Sequence, residues 1–385
     1  MIAGEPSGDV LGGRLMAGIK RATIEPVRFV GIGGERMKSE GLELLFPLSE
    51  LSVMGIAEII PHLSRLLRRV SQTVAAIRDS QPDLIITVDA PAFCFRVLKQ
   101  LKNSSAVRIH YVAPTVWAWR PWRAQKIASL VDHLLVLFPF EPPYFEAVGL
   151  STTFVGHPVL ENEVSKVDGT KFRQNHGIKP NIPLLCVLPG SRRGEIKYLL
   201  PSFKKTICRL KSKFPALQVV VPSIATLADI LRAEFLHGPV LVTVVEGEEE
   251  KFGAMAAADV ALAASGTVAL ELALFGVPNI VAYRVHPLTA AIVGLLVRVK
   301  YANLVNLLVD REAVPEFIQA NCREDLLCDA LENLLTKEAV MVAQKKAMRE
   351  AMALLSPDVR TPSDMAANKI LDLVGNLNCE NLTVR

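Results

Sequence analysis

The sequence has few aromatic residues, and its cysteines and histidines do not follow the patterns of secreted or zinc-binding proteins. Phe, Tyr and Trp make up 6% of the 385 residues, so the apolar half of the composition is mainly aliphatic. The six cysteines include no C-x-x-C pair, and the seven histidines form no H-E-x-x-H motif. These absences argue against a disulfide framework and a structural metal, and they indicate free thiols in a reducing compartment.

Long apolar runs and a strong charge imbalance are also missing. The longest apolar run, about 287–297, is too short to span a bilayer. No charged segment followed by an apolar one opens the chain, so we expect no signal peptide and a cytoplasmic location. The net charge of +4 is mild. Basic clusters near 65–69 and 120–126 lack the aromatic platform of a single-strand binder, so we expect no nucleic-acid partner, while a membrane surface stays open.

Short aliphatic runs alternate with amphipathic stretches along the chain. Runs such as 84–88, 184–188 and 279–283 predict strands, and apolar residues at 3.6-residue spacing between such runs predict helices. This alternation indicates an α/β fold built from βαβ units with parallel sheets. A chain of 385 residues is too long for one ordinary core, so two domains are expected.

A polar stretch at about 161–183 separates the two halves of the chain. We predict a Rossmann-like domain at 1–165, a second one at 180–355, and a C-terminal helix and tail at 356–385. The first strand is short, because only three residues precede Gly4 whereas a buried strand usually has about five. Either the natural start of the protein lies upstream or this edge strand is short, and we expect the former.

Two strand-to-helix loops in the first half hold candidate site residues, since ligands of open α/β sheets bind beyond the carboxyl ends of strands. The Gly4–Asp9 loop has glycines for a tight turn, and Ser7 suits the N-cap of the following helix. The loop after the 84–88 strand begins with Asp89. A carboxylate there suits a general base, and it equally suits a helix N-cap.

Two further loops lie in the second half. The 188–195 loop offers backbone N–H groups, a helix N-terminus and Arg192, which together suit a diphosphate, although a solvated basic loop has the same pattern. Ser265, Gly266 and Thr267 precede another helix, and their amides are expected to point at an anion. Glu271 lies one turn further along this helix and can accept hydrogen bonds from ribose hydroxyls. A capped helix without a ligand would look the same.

Two apolar features of the first half could face either a core or a lipid. The 116–123 segment places three tryptophans beside arginines, which suits a bilayer interface as well as a packed core. The predicted helix at 58–79 has an apolar stripe that is more often a core face than an acyl-binding face. The candidate acyl-binding or membrane-facing residues are Ile59, Ile60, Leu63, Leu66, Leu67, Trp117 and Trp119.

Seven segments in order give the sequence a resemblance to the lipid-A-disaccharide synthases. They are GEPSGD (4–9), VGIGGERMKSEG (30–41), LSVMGIAEII (51–60), IHYVAPTVWAWR (109–120), FVGHP (154–158), LPGSRRGE (188–195) and ASGTVALE (264–271). The resemblance implies a GT-B fold, in which two Rossmann-like domains face a cleft and the C-terminal helix crosses back to the N-terminal domain. It also implies an inverting hexosyltransferase that needs neither a metal nor another cofactor.

The resemblance further implies the substrates and the reaction. A diacylglucosamine unit would pass from UDP-2,3-diacylglucosamine to 2,3-diacylglucosamine 1-phosphate, giving a β-1,6-linked disaccharide phosphate and UDP in lipid A biosynthesis. Asp89 matches the family's essential carboxylate and would take the proton of the acceptor's 6-hydroxyl. Arg192 matches its essential arginine and would meet the donor phosphates together with the 265–267 amides.

Further positions are assigned by the same resemblance. Glu5 and Ser7 would border the reacting sugars, Ser191 would belong to the phosphate loop, and Glu271 and Asn306 would contact the nucleotide. This chain departs from the family pattern after Asp89, where the usual Asp-x-Pro-Asp-Phe-Asn reads DAPAFC. Ala92 and Cys94 therefore replace a carboxylate and an amide. We expect this loss to weaken the hydrogen-bond network that orients Asp89.

Because both substrates carry acyl chains, we expect the apolar helix and the tryptophan segment to form a rim on the inner-membrane surface, with peripheral attachment. The resemblance also allows a homodimer. The sequence also allows two other functions. One is a different UDP-sugar enzyme on the same architecture, such as a UDP-N-acetylglucosamine epimerase or a peptidoglycan-type transferase. The other is a non-catalytic module that binds a nucleotide or a lipid.

Overall fold

The computed structural model describes residues 1–51, 56–236, 238, 240–286, 290 and 299–382. The chain divides into two compact units. Unit 1 comprises Met1–Glu161 together with the chain from Leu355 onward, and unit 2 comprises Asn162–Leu354. Each unit is built on a parallel sheet, which confirms the predicted α/β class.

Unit 1 contains a parallel sheet in the strand order β1-β4-β5-β6-β7, and a parallel pair formed by β2 and β3. The short first strand pairs with β4, with Ala3 opposite Val88. These strands are β1 Ile2–Ala3, β2 Phe29–Gly31, β3 Leu42–Leu44, β4 Leu84–Val88, β5 Val107–Tyr111, β6 His133–Val136 and β7 Ser151–Phe154.

The helices of unit 1 cover this sheet with aliphatic and aromatic side chains. Val70 and Val74 of the third helix and Phe93 and Val97 of the fourth are buried in one core cluster with residues of β4 and β6. The α-helices described in unit 1 are Pro6–Ala22, Glu35–Ser39, Ile56–Ser80, Pro91–Gln100, Arg123–Ala128, Pro142–Glu146 and Pro362–Leu382.

Asp9 of the GEPSGD segment holds the VGIGGERMKSEG segment in place. Its buried carboxylate accepts hydrogen bonds from the backbone N–H groups of Gly34, Arg36 and Met37, at 2.7, 3.1 and 3.0 Å. A side chain at Gly34 would collide with this carboxylate, since a Cβ there would lie 2.5 Å from Oδ2. Asp9 thus pairs the N–H groups at the start of the Glu35–Ser39 helix that would otherwise lack partners.

The C-terminal helix packs against the first helix of unit 1, which confirms that the chain crosses back to its N-terminal domain. Gly18 permits the close approach, because a Cβ there would lie 2.9 Å from the Ser363 carbonyl oxygen. Arg21 pairs with Asp364 at 2.6 Å. Glu161 accepts a hydrogen bond of 2.6 Å from the Ser363 N–H.

Unit 2 contains a parallel sheet in the strand order β10-β9-β8-β11-β12-β13. Its central strand β8 is buried along its whole length. These strands are β8 Leu184–Leu188, β9 Gln218–Ser223, β10 Val242–Glu246, β11 Val260–Ala264, β12 Asn279–Tyr283 and β13 Glu316–Ile318.

Two core clusters, one of them formed with the long helix after β8, bury this sheet. Residues 162–179, predicted as a link, pack with unit 2, and Phe172 lies buried in its core. No described helix has the length and apolarity to cross a membrane. The α-helices described in unit 2 are Gly169–Asn175, Arg193–Lys213, Ala225–Leu236, Glu248–Ala257, Val268–Leu274, Leu304–Val309, Glu324–Thr336 and Glu338–Leu354.

Candidate functional site

In unit 1 the carboxyl ends of five parallel strands meet at one sheet edge, and several of the predicted residues follow these strands. Glu5 and Ser7 follow β1, and Asp89 follows β4. Trp117 follows β5, and Glu141 follows β6. The topology therefore brings side chains from distant parts of the sequence to one edge.

Asp89 lies where the β1 and β4 loops meet. The hydroxyl of Ser7 donates a hydrogen bond of 3.2 Å to Asp89 Oδ2, and the Asp89 N–H donates to the Tyr111 carbonyl at 2.9 Å. A Cβ at Gly4 would lie 2.5 Å from the Cβ of Ala90, so only glycine permits this approach of the two loops.

The backbone at this meeting point is strained. Asp89 and Ala90 both have left-handed conformations, with φ of +52° and +43°. Non-glycine residues in this region cost about 1–3 kcal/mol each and cluster at functional sites. This strain, together with the contact from Ser7, marks Asp89 as a residue held in a defined position.

Ser7 does not cap its own helix, so that prediction is wrong. Glu5 occupies the N-cap position of the Pro6–Ala22 helix, and no side chain caps it. The Ser7 hydroxyl bonds to Asp89 instead. Glu5 is exposed at the same edge, and its charge adds to the electrostatic environment of the Cys94 thiol beneath the loop.

Cys94, which departs from the family pattern, lies fully buried below Asp89. Burial raises the pKa of the Cys94 thiol, and the charge of Asp89 raises it further. The thiol is therefore neutral, and its sulfur lies 4.0 Å from the Ile2 carbonyl oxygen. Ala92 is exposed and offers no side-chain donor. Among the described side chains, the hydrogen bond to the Asp89 carboxylate comes from Ser7.

The tryptophan segment divides into an inward and an outward part. Trp117 is half-buried, and its indole N–H donates a hydrogen bond of 3.1 Å to Glu141. The half-buried ring of Trp119 lies under the guanidinium of Arg120 at 4.3 Å. Trp122, which was not among the predicted lipid contacts, is 65% exposed.

Glu141 was missed in the sequence. It is 2% exposed, and it accepts hydrogen bonds of 3.0 Å from the backbone N–H groups of Leu137 and Phe138 as well as from Trp117. Burial raises the pKa of Glu141 to about 7, although these three donors favour its ionised form. The sequence did contain a signal for Glu141, because this carboxylate lies in the loop that follows a buried strand, as Asp89 does.

His157 of the FVGHP segment is a second residue missed in the sequence. Burial lowers its pKa to about 4, so its ring is neutral near pH 7. The ring accepts a hydrogen bond from the Val159 N–H at 3.1 Å and lies 5.2 Å from the ring of Phe138. His157 thus packs with the aromatic residues that surround Glu141.

In unit 2, two amides of the 188–195 loop already have a partner, so the prediction of free N–H groups is wrong for these two. The backbone N–H groups of Ser191 and Arg192 donate to Glu195 Oε2 at 3.0 and 3.2 Å. The guanidinium of Arg192 bonds to Glu195 Oε1 at 3.1 Å and is 82% exposed. Gly190 has a φ of +108°, and a side chain there would collide with Glu195.

The 265–267 loop also differs in part from the prediction. The Ser265 N–H donates to the Ala282 carbonyl at 3.2 Å, so it does not point at an anion. The Ser265 hydroxyl donates to the Ala302 carbonyl at 2.9 Å. Gly266 and Thr267 are exposed. Because β11 pairs with β8, this loop and the 188–195 loop follow neighbouring strands.

Glu271 and Asn306, predicted on the nucleotide side, have partners within unit 2. Glu271 pairs with Lys251 at 2.8 Å. Asn306 is fully buried, and its amide donates to the Val314 carbonyl and to Glu316 at 2.7 and 2.8 Å. Its carbonyl oxygen accepts from two further backbone N–H groups. A nucleotide contact by Asn306 would require these bonds to break.

The predicted lipid-facing residues of the third helix are described only in part. The side chains of Ile59, Ile60 and Leu63 lie outside the described residues. Leu66 is half-buried against the core of unit 1, and Leu67 is 49% exposed.

A family model described as lipid-A-disaccharide synthetase matches residues 1–370. The lipid-A-disaccharide synthase of Rhodospirillum centenum is 49% identical, with 97% of this chain and 94% of that protein covered. The lipid-A-disaccharide synthase of Paramagnetospirillum magneticum is 47% identical, with 97% of each covered.

Solved structures with little sequence similarity share the fold. A UDP-GlcNAc 2-epimerase from Neisseria meningitidis, bound to UDP-GlcNAc, has a TM-score of 0.62 and 12% identity and covers 97% of this chain and 98% of its own. MurG from Acinetobacter baumannii has a TM-score of 0.57 and 13% identity and covers 98% of both chains. At such identities the likeness concerns the fold alone, and it confirms the GT-B class.

Glu141 links folding to pH. The folded chain binds a proton at a pKa of about 7, whereas the ordinary value is 4.5. Between pH 4.5 and about 7, the Glu141 carboxyl is ionised in the unfolded chain but still protonated in the folded chain. A rise in pH across this range therefore favours the unfolded chain. The wild type should therefore lose up to about 3 kcal/mol of stability relative to Glu141→Gln. Urea unfolding of the wild type and of Glu141→Gln between pH 4.5 and about 7 measures this difference in stability.

The exposed Glu35 gives the control, because Glu35→Gln should follow the wild-type pH profile in parallel. A parallel profile for Glu141→Gln would contradict a carboxyl group that titrates near neutral pH.

Proposed function

This chain belongs to the lipid-A-disaccharide synthase family, and we propose that Asp89 is the general base of its sugar transfer. The protein is a glycosyltransferase of lipid A biosynthesis. The main support for this assignment is the hydrogen bond of 3.2 Å from Ser7 to Asp89. It joins the loop after β1 to the strained loop after β4. Such contacts fix a catalytic carboxylate in place before the substrate arrives.

In the proposed reaction, Asp89 accepts the proton of the 6-hydroxyl of 2,3-diacylglucosamine 1-phosphate. The deprotonating oxygen attacks the anomeric carbon of UDP-2,3-diacylglucosamine, the bond from that carbon to UDP breaks, and a β-1,6 linkage forms. Ser7 orients the base through Oδ2, and the exposed Glu5 borders the sugars. Proton transfer to a positioned carboxylate typically contributes a factor of about 10²–10⁴.

Unit 2 supplies the contacts to the donor in this proposal. The charge on the departing UDP grows as the bond to the sugar breaks, and Arg192 meets that charge. The guanidinium is 82% exposed, so it can leave Glu195 for a phosphate without leaving a buried pocket. Ser191, Gly266 and Thr267 line the adjacent strand ends, and Glu271 accepts ribose hydroxyls beside Lys251.

We also propose that unit 1 rests on the cytoplasmic surface of the inner membrane. Support comes from exposed apolar and basic residues of the predicted rim. Trp122 is 65% exposed and Leu67 is 49% exposed. Arg120 and Arg123 lie 4.3 and 5.9 Å from the ring of Trp119, so cations and rings are combined as they are at lipid headgroups. A homodimer remains a prediction.

Replacing Asp89 tests the general base. Asp89→Asn keeps the size of the side chain but removes its ability to take a proton, so kcat should fall by a factor of about 10²–10⁴. Turnover of UDP-2,3-diacylglucosamine with the radiolabelled acceptor, separated by thin-layer chromatography, measures it. Asp83→Asn is the matched control, because Asp83 precedes the amino end of the same strand and is exposed. Wild-type kcat in Asp89→Asn would rule out the assignment.

Replacing Arg192 tests the donor contact. Arg192→Ala should raise the barrier by about 2–4 kcal/mol if the guanidinium meets charge that develops in the transition state. The loss should appear in kcat/KM, measured with the same assay. Arg193→Ala removes an equal charge from the next residue, which is also exposed, and should change turnover little. Equal losses in both variants would point to a general electrostatic effect and remove Arg192 from the mechanism.

Replacing exposed apolar residues tests the membrane contact. Leu67→Ser with Trp122→Ser should weaken binding to phospholipid vesicles by about tenfold, since each buried apolar side chain contributes about 1.5–3 kcal/mol at most. Co-sedimentation measures the binding. Ile24→Ser with Val359→Ser is the control, because both residues are fully exposed elsewhere in unit 1. If the two pairs had equal effects, the contact would not be located at the rim.

A further inference from the structure

In unit 1 the loop that follows β5 (the β5 loop) is fixed to β6 and to the loop that follows it (the β6 loop). Directly after β5, the Val112 N–H donates a hydrogen bond of 3.0 Å to the Leu135 carbonyl of β6. Further along the β5 loop, the indole N–H of Trp117 donates to the Glu141 carboxylate at 3.1 Å. The β5 loop is therefore held both at its start and at Trp117.

The backbone at the start of the β5 loop is strained. Val112 has a φ of +80°, and a β-branched residue with a positive φ is a genuine outlier. Such conformations persist where the surrounding structure imposes them, and they cluster at ligand sites. The neighbouring strand β4 ends in the same way, with left-handed conformations at Asp89 and Ala90. Two adjacent strand ends are thus strained at the sheet edge where the proposed base lies.

Glu141 uses its two carboxylate oxygens for donors on two loops. Oε1 accepts from the Trp117 indole, and Oε2 accepts from the backbone N–H groups of Leu137 and Phe138, both at 3.0 Å. An ionised carboxylate accepts at both oxygens, whereas an amide of the same size has one accepting oxygen and one donating nitrogen. The buried carboxylate can therefore hold the indole and the β6 loop at the same time.

Aromatic rings fix the other side of the indole. Trp117 meets Phe140 edge to face, with ring centroids 5.1 Å apart, and Phe140 stacks on Phe138 at 5.2 Å. Phe138 is buried, whereas Trp117 and Phe140 are half-buried, so part of each of these two rings stays accessible. A ring that is already held in one orientation loses little conformational freedom when a ligand binds to it. The Trp117 ring is therefore a preorganised apolar surface.

We propose that Glu141 is a positioning residue for acceptor binding, which holds the Trp117 indole so that the accessible part of the ring lies against the acceptor. This role rests on the proposed function, in which the acceptor hydroxyl lies at Asp89 on the same sheet edge. The apolar ring suits an acceptor that carries acyl chains. Glu141 is 2% exposed and does not touch the acceptor, so its effect passes through Trp117.

Steady-state kinetics of the full chain test this role, at a pH above the Glu141 pKa of about 7. Glu141→Gln keeps the size of the side chain but has one accepting oxygen, so it cannot serve both loops. The KM for 2,3-diacylglucosamine 1-phosphate should rise by about fivefold to tenfold, as expected for the loss of one hydrogen bond to a charged group. Both kcat and the KM for UDP-2,3-diacylglucosamine should stay within about twofold of the wild type.

A second variant shows whether the effect passes through the indole. Trp117→Phe keeps an aromatic ring and removes the N–H, so it should raise the same KM. In the double variant Glu141→Gln with Trp117→Phe, the KM should stay within about twofold of the larger single effect, because both changes break one hydrogen bond. If the two effects multiplied instead, Glu141 would act without Trp117, and the positioning role would be overturned.

Glu146→Gln is the matched control, because it removes the same charge from an exposed position on the helix that follows Glu141. It should leave kcat and both KM values unchanged, and cooperative thermal unfolding shows that each variant is folded.

Two results would overturn the role of Glu141 while leaving the proposed function intact. One is an unchanged acceptor KM in Glu141→Gln, and the other is an equal rise in the KM for the donor, which would show a general disturbance of the fold. Absence of sugar transfer in the wild type would instead contradict the proposed function, and the role of Glu141 with it.

Discussion

The close approach of two loop backbones is the constraint on which the site of unit 1 depends. Gly4 lies against Ala90, and this contact leaves no room for a Cβ on the β1 loop. The β4 loop meets it with two consecutive left-handed residues, while the Asp89 N–H remains tied to the neighbouring strand at Tyr111. With its backbone held in this way, the Asp89 carboxylate accepts the hydrogen bond from Ser7 at 3.2 Å. The position of the Asp89 backbone thus follows from the packing of the two loops, and it does not require a polar side chain at Cys94.

Carboxylates also organise loops within each unit. Asp9 pairs three amides at the start of a short helix, and Glu141 pairs two amides and an indole. In unit 2, Glu316 accepts the N–H groups of Ala302 and Asn303 and an N–H of the Asn306 amide. Each carboxylate satisfies several buried or part-buried donors.

Local patterns predicted the elements of this fold better than the partners of its side chains. The strands Leu84–Val88, Leu184–Leu188 and Asn279–Tyr283 were predicted with these bounds, because continuous aliphatic runs have few alternatives in a buried parallel sheet. The strands Ser151–Phe154 and Glu316–Ile318 were missed, since their polar residues hide the pattern. Hydrogen bonds such as Ser7 to Asp89 join residues 82 positions apart, so only the assembled sheet decides whether Ser7 caps a helix or orients a base.

The carboxylate of Glu195 also bears on turnover. It occupies the amides of Ser191 and Arg192 and one edge of the Arg192 guanidinium, as an internal counter-anion of the loop. In the reaction proposed above, the donor diphosphate would displace this carboxylate, so its net affinity would be the difference between two similar interactions. When the nucleotide product departs, the same carboxylate would return to the two amides. The proposed loop would thereby give up ground-state affinity and release its product faster.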